Sequence, residues 1–270
     1  MLGCIVAGYL KGGATHLKNL LVATTPMRLG FEAGLLLAER PADGIPEPHA
    51  RAFVHRWSVD EDFLKHYRRC RSFEAGYRLV RAAAATPENR SAPLIDKTPL
   101  YLPDLADVMR RAPGTPVVIA LRDPLHVLAS LIESGNSLDD SLMSIRVAAE
   151  SLQTVVGHPH LASSVYIVNC DELLRDPLRT LAPLHAWLGH RPHGTDSTGR
   201  SRRSLATTGP RQVPSVQGAT GSNRRSAAFA RCDLEFLRRT IVSDVPAAAK
   251  VSRIRSGPAL SLASPIPRAA

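Results

Sequence analysis

The chain has 270 residues, 44% of them hydrophobic, which is enough for one sizeable core with an appended subdomain and too few for two ordinary domains. Its formal net charge is +10, yet residues 1–190 hold 20 basic and 20 acidic side chains, so the whole excess lies in residues 191–270, where 14 basic residues face only Asp196, Asp233, Glu235 and Asp244. No stretch reaches the ~18 apolar residues that span a bilayer, and Cys4, Cys70, Cys170 and Cys232 form neither a Cys-x-x-Cys pair nor a Cys/His cluster with zinc spacing, so a protein without a membrane span, in a reducing, cytoplasmic setting, is expected.

Residues 1–10 are apolar enough for a signal peptide, but they lack a basic leading region and a cleavage site, and Lys11-Gly12-Gly13 follows at once. They read as a buried first strand over 4–10, followed by a glycine loop and a helix with Leu17, Leu20 and Leu21 at helical spacing. A second helical region is predicted over 32–39. After Pro41, Pro46 and Pro48, a helix is predicted over 60–85, with Phe63, Tyr67, Phe73, Tyr77 and Leu79 as its apolar face. Residues 92–97 read as a short strand, followed by Thr98-Pro99 and an amphipathic helix near 104–111. The clearest buried strand is 116–121, which runs directly into Arg122-Asp123-Pro124 and a helix to about 133. A long helix over 139–156, a strand over 165–168 and a helix over 178–188 close the core.

Beyond 191 the chain is rich in Ser, Thr, Gly and Arg, and only 233–242 reads as a helix. The main domain is expected to span 1–245, with 246–270 a disordered basic tail. Such a basic block binds a polyanion or is simply solvated. Strands alternating with helices imply an α/β fold, a parallel sheet flanked by helices that binds ligands beyond the carboxyl ends of its strands.

Two places at those strand ends carry chemistry. At the first, Gly12 and Gly13 let the backbone approach a phosphate, the following helix supplies free N–H groups, and Lys11 and Thr15 add a charge and a hydroxyl. Alternatively the glycines only make a tight turn and Lys11 is a solvated charge; the Walker order is absent, because here the lysine precedes the glycines. At the second, Arg122 directly follows the most buried strand, where a guanidinium can grip a phosphate, and Ser130 offers a hydroxyl eight residues on. The other reading pairs Arg122 with Asp123 as a helix-entry ion pair.

Taken together, these segments resemble the sulfotransferase family in its bacterial form. Residues 8–17, Gly-Tyr-Leu-Lys-Gly-Gly-Ala-Thr-His-Leu, are similar to the family's 5'-phosphosulfate loop, and Arg122 with Ser130 to its 3'-phosphate motif. Residues 95–101, Ile-Asp-Lys-Thr-Pro-Leu-Tyr, resemble an Asp-Lys-Thr-Pro-x-Tyr segment of bacterial members, and 171–177 resembles a late Glu-Asp-Leu-x-x-Asp-Pro turn. The resemblance implies a P-loop-like sulfotransferase fold and a sulfuryl donor, 3'-phosphoadenosine 5'-phosphosulfate, with no metal. Lys11, Gly12, Gly13, Ala14, Thr15 and His16 would hold its 5' end, and Arg122 and Ser130 its 3'-phosphate. Lys11 would also act on the bridging oxygen. The family's catalytic histidine has no counterpart after Lys97-Thr98, where Pro99 stands, so Glu32 is the candidate general base and Lys97 a second charge near the sulfuryl group. Glu32 otherwise interacts with a helix dipole, and Lys97 is otherwise a surface lysine paired with Asp96.

The sequence departs from the family at Gly12 and Ala14, which remove two hydroxyls, at His16, and at Cys170, where a tyrosine often lies beside the adenine. Residues 218–225 match the family's late basic loop. The implied acceptor is a hydroxylated small molecule or a glycan. The other hypotheses are a kinase-like phosphotransferase, opposed by the missing Gly-Lys-Ser/Thr order, and a catalytically silent sulfotransferase-like fold whose basic C-terminus binds nucleic acid or an acidic surface. With few aromatics among the basic residues, nucleic acid is not the expected partner.

Overall fold

The computed structural model describes residues 2–27, 32–57, 59–84, 92–190 and 250–251. Its parallel sheet contains β1 (Leu2–Gly8), β2 (Leu94–Lys97), β3 (Val117–Leu121), β4 (Val165–Asn169) and the two-residue β5 (Lys250–Val251), in the order β2-β1-β3-β4-β5. α1 (Ala14–Thr24) follows β1, and α2 (His49–Trp57), α3 (Glu61–Arg68) and α4 (Phe73–Ala84) lie between it and β2. The return from β2 to β3 carries α5 (Leu105–Arg111); α6 (Pro124–Glu133), α7 (Leu138–Gly157) and α8 (Pro159–Ala162) join β3 to β4; α9 (Cys170–Arg175) and α10 (Pro177–Trp187) follow β4.

Every residue of β2 and β3 is buried; β3 is accordingly a continuous apolar run, whereas β2 carries Asp96 and Lys97 into the interior, where each has a partner. Successive side chains of a strand point to opposite faces, so β1 feeds two cores. Ile5, Ala7 and Tyr9 pack with α3 to α7 on one face, and Cys4 and Val6 pack with α1, α9 and α10 on the other.

Three expectations change. The helix over 32–39 is instead a single 3-10 turn, Leu35–Leu37, because Gly34 adopts φ 64° and the backbone N–H groups here go to side chains at the end of β2. The helix over 60–85 is two helices: α3 is capped by Asp60, whose carboxylate accepts from the Phe63 N–H, and α4 starts afresh at Phe73. Phe63, Tyr67, Phe73 and Tyr77 are buried as expected, but Val80 takes the buried place in the last turn and Leu79 is only half-buried. The sequence also did not announce α2, or α9 as a separate helix.

The helix predicted over 233–242, the boundary at 245 and the 218–225 loop lie outside the described residues, whereas Lys250–Val251, within the expected tail, pairs with β4. No helix among the described residues is long and apolar enough to cross a membrane.

Candidate active site

With β2 and β3 on opposite sides of β1, the winding direction reverses at the carboxyl end of β1, the place where parallel sheets open a crevice. The loop that leaves β1 there is tight. Gly12 N–H donates to Tyr9 O at 2.8 Å, Lys11 takes φ 63°, and Gly13 takes φ 99° as the N-cap of α1. A Cβ on Gly13 would stand 2.9 Å from the Cys170 Sγ and one on Gly12 2.8 Å from Tyr9 O, so a side chain at Gly13 would collide with the wall behind the loop and one at Gly12 with the loop's own backbone. Cys170 therefore forms that wall; burial pushes its thiol pKa up to about 12.

Gly13 offers no side chain to cap α1, so the first N–H groups of the helix are left for a ligand, with the positive end of its dipole behind them. Lys11 and Thr15 are exposed at this mouth, Ala14 is buried in the second core, and half-buried His16 has its pKa lowered by burial. An uncapped helix N-terminus behind a loop with no room for a Cβ at Gly12 or Gly13 is a place where an anion can be held.

Arg122 leaves the end of β3 with its side chain 20% exposed, and its partner is Asp171 rather than Asp123: Nε donates to Asp171 Oδ1 at 3.3 Å. Asp123 has another task, capping α6 by accepting from the Leu125 N–H, while its own N–H donates to Asp171 Oδ2 at 3.2 Å. One carboxylate at the start of α9 thus fixes the end of β3 and leaves the terminal nitrogens of Arg122 without a hydrogen-bond partner among the described residues. Ser130 stands two turns along α6, and His126, one turn before it, brings Nδ1 to 3.7 Å from Asp171 Oδ1.

Glu32 and Lys97, far apart in sequence, meet: Lys97 Nζ donates to Glu32 Oε1, with the lysine side chain 6% and the glutamate 35% exposed. Lys97 is therefore not a surface lysine, and Asp96 is not its partner. Asp96 points to the other face of β2, where it is the hub of a buried network. Tyr77 Oη donates to it at 2.5 Å, Tyr101 Oη at 2.7 Å, Thr98 Oγ1 at 2.8 Å and the Ala33 N–H at 3.3 Å. Burial raises its pKa, and these donors pull it back. The same cluster holds the chain around Glu32, since Gly34 N–H donates to Thr98 Oγ1 and Leu36 N–H to Tyr101 Oη. The Asp-Lys-Thr-Pro-x-Tyr segment is thus a clamp that delivers Glu32 to Lys97. Lys18, one turn into α1, adds positive charge nearby; its pKa is lowered first by burial and then by the charge of Lys97.

Sequence reading passed over Lys18 and His126, named Asp96 only as a possible partner of Lys97, and met Asp171 only as the first residue of the 171–177 segment. The signal for Asp96 was an acid next to two apolar residues in a short strand; the position of Asp171, second residue of α9, carried no comparable signal.

Between the Lys11 loop, the 3-10 turn Pro99–Tyr101 and α6 and α7 lies a small recess of about 10 Å³, lined by Leu10, Pro99, Leu100, Val127, Leu131 and Ile145, with Ser144 as a polar exception. Tyr9 also lines it, and its buried hydroxyl has no hydrogen-bond partner among the described residues.

In sequence, no family model and no curated protein matches the chain. In structure, it is similar to a sulfotransferase domain from the olefin synthase of Synechococcus PCC 7002, with a TM-score of 0.58 at 17% identity over 90% of this chain and 95% of that one. It is also similar to the sulfotransferase domain of the curacin biosynthetic pathway, with a TM-score of 0.52 at 17% identity over 71% of this chain and 75% of that one. A sulfotransferase from Alicyclobacillus acidocaldarius aligns with a TM-score of 0.50 at 18% identity over 89% and 96%. The fold is therefore the sulfotransferase fold, an α/β architecture of parallel strands flanked by helices.

Proposed function

We propose that the protein is a sulfotransferase that uses 3'-phosphoadenosine 5'-phosphosulfate as donor and passes the sulfuryl group to a hydroxyl of its acceptor. The observation that carries this reading is the pairing, across the switch point, of an uncapped helix N-terminus behind exposed Lys11 with a part-exposed Arg122 at the next strand end. When bound, the donor supplies an activated sulfuryl group on a phosphate leaving group. The N–H groups from Gly13 to His16 and the Thr15 hydroxyl bind the 5'-phosphate. The Lys11 ammonium neutralises charge that develops on the leaving oxygen, and Arg122 and Ser130 hold the 3'-phosphate. Positioning and fixed charge supply most of the catalysis in the analogous phosphoryl transfers.

Glu32 takes the proton of the acceptor hydroxyl. Once it does, its partner Lys97 loses a counter-ion, and that freed charge favours the anionic sulfuryl group arriving beside it. In this reading the acceptor is a hydroxylated small molecule rather than a glycan, because Leu10, Pro99, Leu100 and Val127 beside the loop are apolar and would leave a sugar's hydroxyls unsatisfied.

The test is transfer of a labelled sulfuryl group to a panel of apolar alcohols and phenols, with sugars for comparison. The expected result is label on members of the first group, and a rate at least ~10²-fold lower for Lys11→Ala at an unchanged melting temperature, since the side chain is exposed. A Lys11→Ala protein that keeps most of its activity removes Lys11 from the mechanism. Saturable nucleotide binding with no transfer to any acceptor supports the silent fold instead.

A further inference from the structure

We propose that His126 is a third, proton-dependent ligand of the anion that Arg122 and Ser130 hold, so that affinity for a nucleotide 3'-phosphate increases when the imidazole is protonated. The inference rests on the reading of Arg122 given above and adds regulation to that same site. It starts from an unsatisfied atom: His126 Nδ1 is shielded from solvent and makes no hydrogen bond among the described residues, although the side chain as a whole is 45% exposed. The exposed area therefore lies on the rest of the ring. Buried polar atoms without partners are rare and call for an explanation.

The neighbours supply one. Asp171 Oδ1 stands 3.7 Å from Nδ1 and already accepts from Arg122 Nε at 3.3 Å, while Asp171 Oδ2 accepts the Asp123 N–H. With a neutral imidazole, the Arg122 guanidinium stands among the Asp171 and Asp123 carboxylates, and the cluster has no net positive charge to offer an anion. Protonation turns the Nδ1 approach into an ion pair, makes Asp171 shared between Arg122 and His126, and raises the charge at the site by about one unit. Ser130 lies one helical turn beyond His126 on the same stripe of α6, so the three groups form one edge.

No other ion pair reaches His126 among the described residues. The Asp123 carboxylate is engaged at the α6 N-cap, and α7 meets α6 on its apolar side, where Val127, Leu128 and Leu131 share a core with Ile145 and Ala148. Binding and protonation are linked, so a bound anion must in turn favour the protonated imidazole.

The test is titration of the wild-type protein and His126→Asn with adenosine 3',5'-bisphosphate and with adenosine 5'-monophosphate, at about pH 8 and about pH 5.5, an interval in which imidazoles titrate. Taking the ratio of the two affinities removes whatever happens at the 5' end, half-buried His16 included. Comparison with the variant removes the titration of the ligand's own phosphate. The wild-type ratio should rise, relative to the variant's, by about tenfold or more on going to the lower pH, the scale of one charge-assisted hydrogen bond. The same change in both proteins overturns the inference alone. No preference for the bisphosphate at either pH overturns the reading of Arg122 and the inference with it. A second measurement needs no variant: the His126 imidazole resonance, followed against pH, should titrate at higher pH in the presence of the bisphosphate, and an unmoved curve contradicts the proposal.

Discussion

The two flanks of β1 use polar side chains in opposite ways. On the β2 side they close on one another: Asp96 receives four donors, Lys97 is neutralised by Glu32, and the backbone around Gly34 is stitched to Thr98 and Tyr101. On the β3 side they are left open. The start of α1 is uncapped, Lys11 is exposed, and Arg122 spends one nitrogen on Asp171. A satisfied buried network rigidifies what it touches, whereas open donors at the carboxyl ends of parallel strands are available to a ligand. In the proposed function the closed flank is the part that positions, and the open flank the part that binds. Glu32 is the junction in that reading, held by the closed flank through Lys97 and still part-exposed.

That division can be broken first at the junction. Glu32→Gln keeps shape and hydrogen bonding but cannot take a proton, so kcat should fall by about 10²–10⁴-fold while nucleotide affinity changes little. Steady-state kinetics alongside titration of the nucleotide separates the two. A change in thermal stability alone would assign Glu32 to structure and move the base elsewhere.

Next in size is the hub of the closed flank. Asp96→Ala strands two phenol hydroxyls in the core and should cost about 2–4 kcal/mol of stability, read from denaturant unfolding. It should also lower kcat through displacement of Glu32. Because Arg122 and the α1 N-terminus do not depend on Asp96, the folded variant should still bind nucleotide. Equal loss of binding and turnover would show that the two flanks are not separable.

The sequence is most readable where the physics is local. The apolar runs became β1, β3 and β4, the short run after Pro93 became β2, and α5, α6 and α7 follow their expected spans within a residue or two. The break between α3 and α4 was harder to see, although Tyr67 and Phe73 are six apart, a spacing that one straight helix does not put on one face. Gly34, inside a stretch of leucines and other helix formers, overrides their propensity because the β2 end takes its N–H. The pairing of Lys97 with Asp96 was excluded in principle, since adjacent strand residues point to opposite faces. Finding its true partner required tertiary structure. Asp171 and His126 stayed hidden because their meaning arises only when α6 and α9 are brought side by side at the end of the sheet.

The central claim is that the open flank clamps a nucleotide at both ends, and the most direct measurement is calorimetric titration with adenosine 3',5'-bisphosphate and adenosine 5'-monophosphate. The bisphosphate should bind about ten- to a hundredfold more tightly, the equivalent of roughly 1.5–3 kcal/mol for a charge-assisted contact. Arg122→Ala should erase most of that difference and leave binding of the monophosphate nearly unchanged, because the α1 N-terminus and Lys11 hold the 5' end independently. Equal affinity of the wild-type protein for the two nucleotides would contradict the account of the site, even with the sulfotransferase fold unchanged.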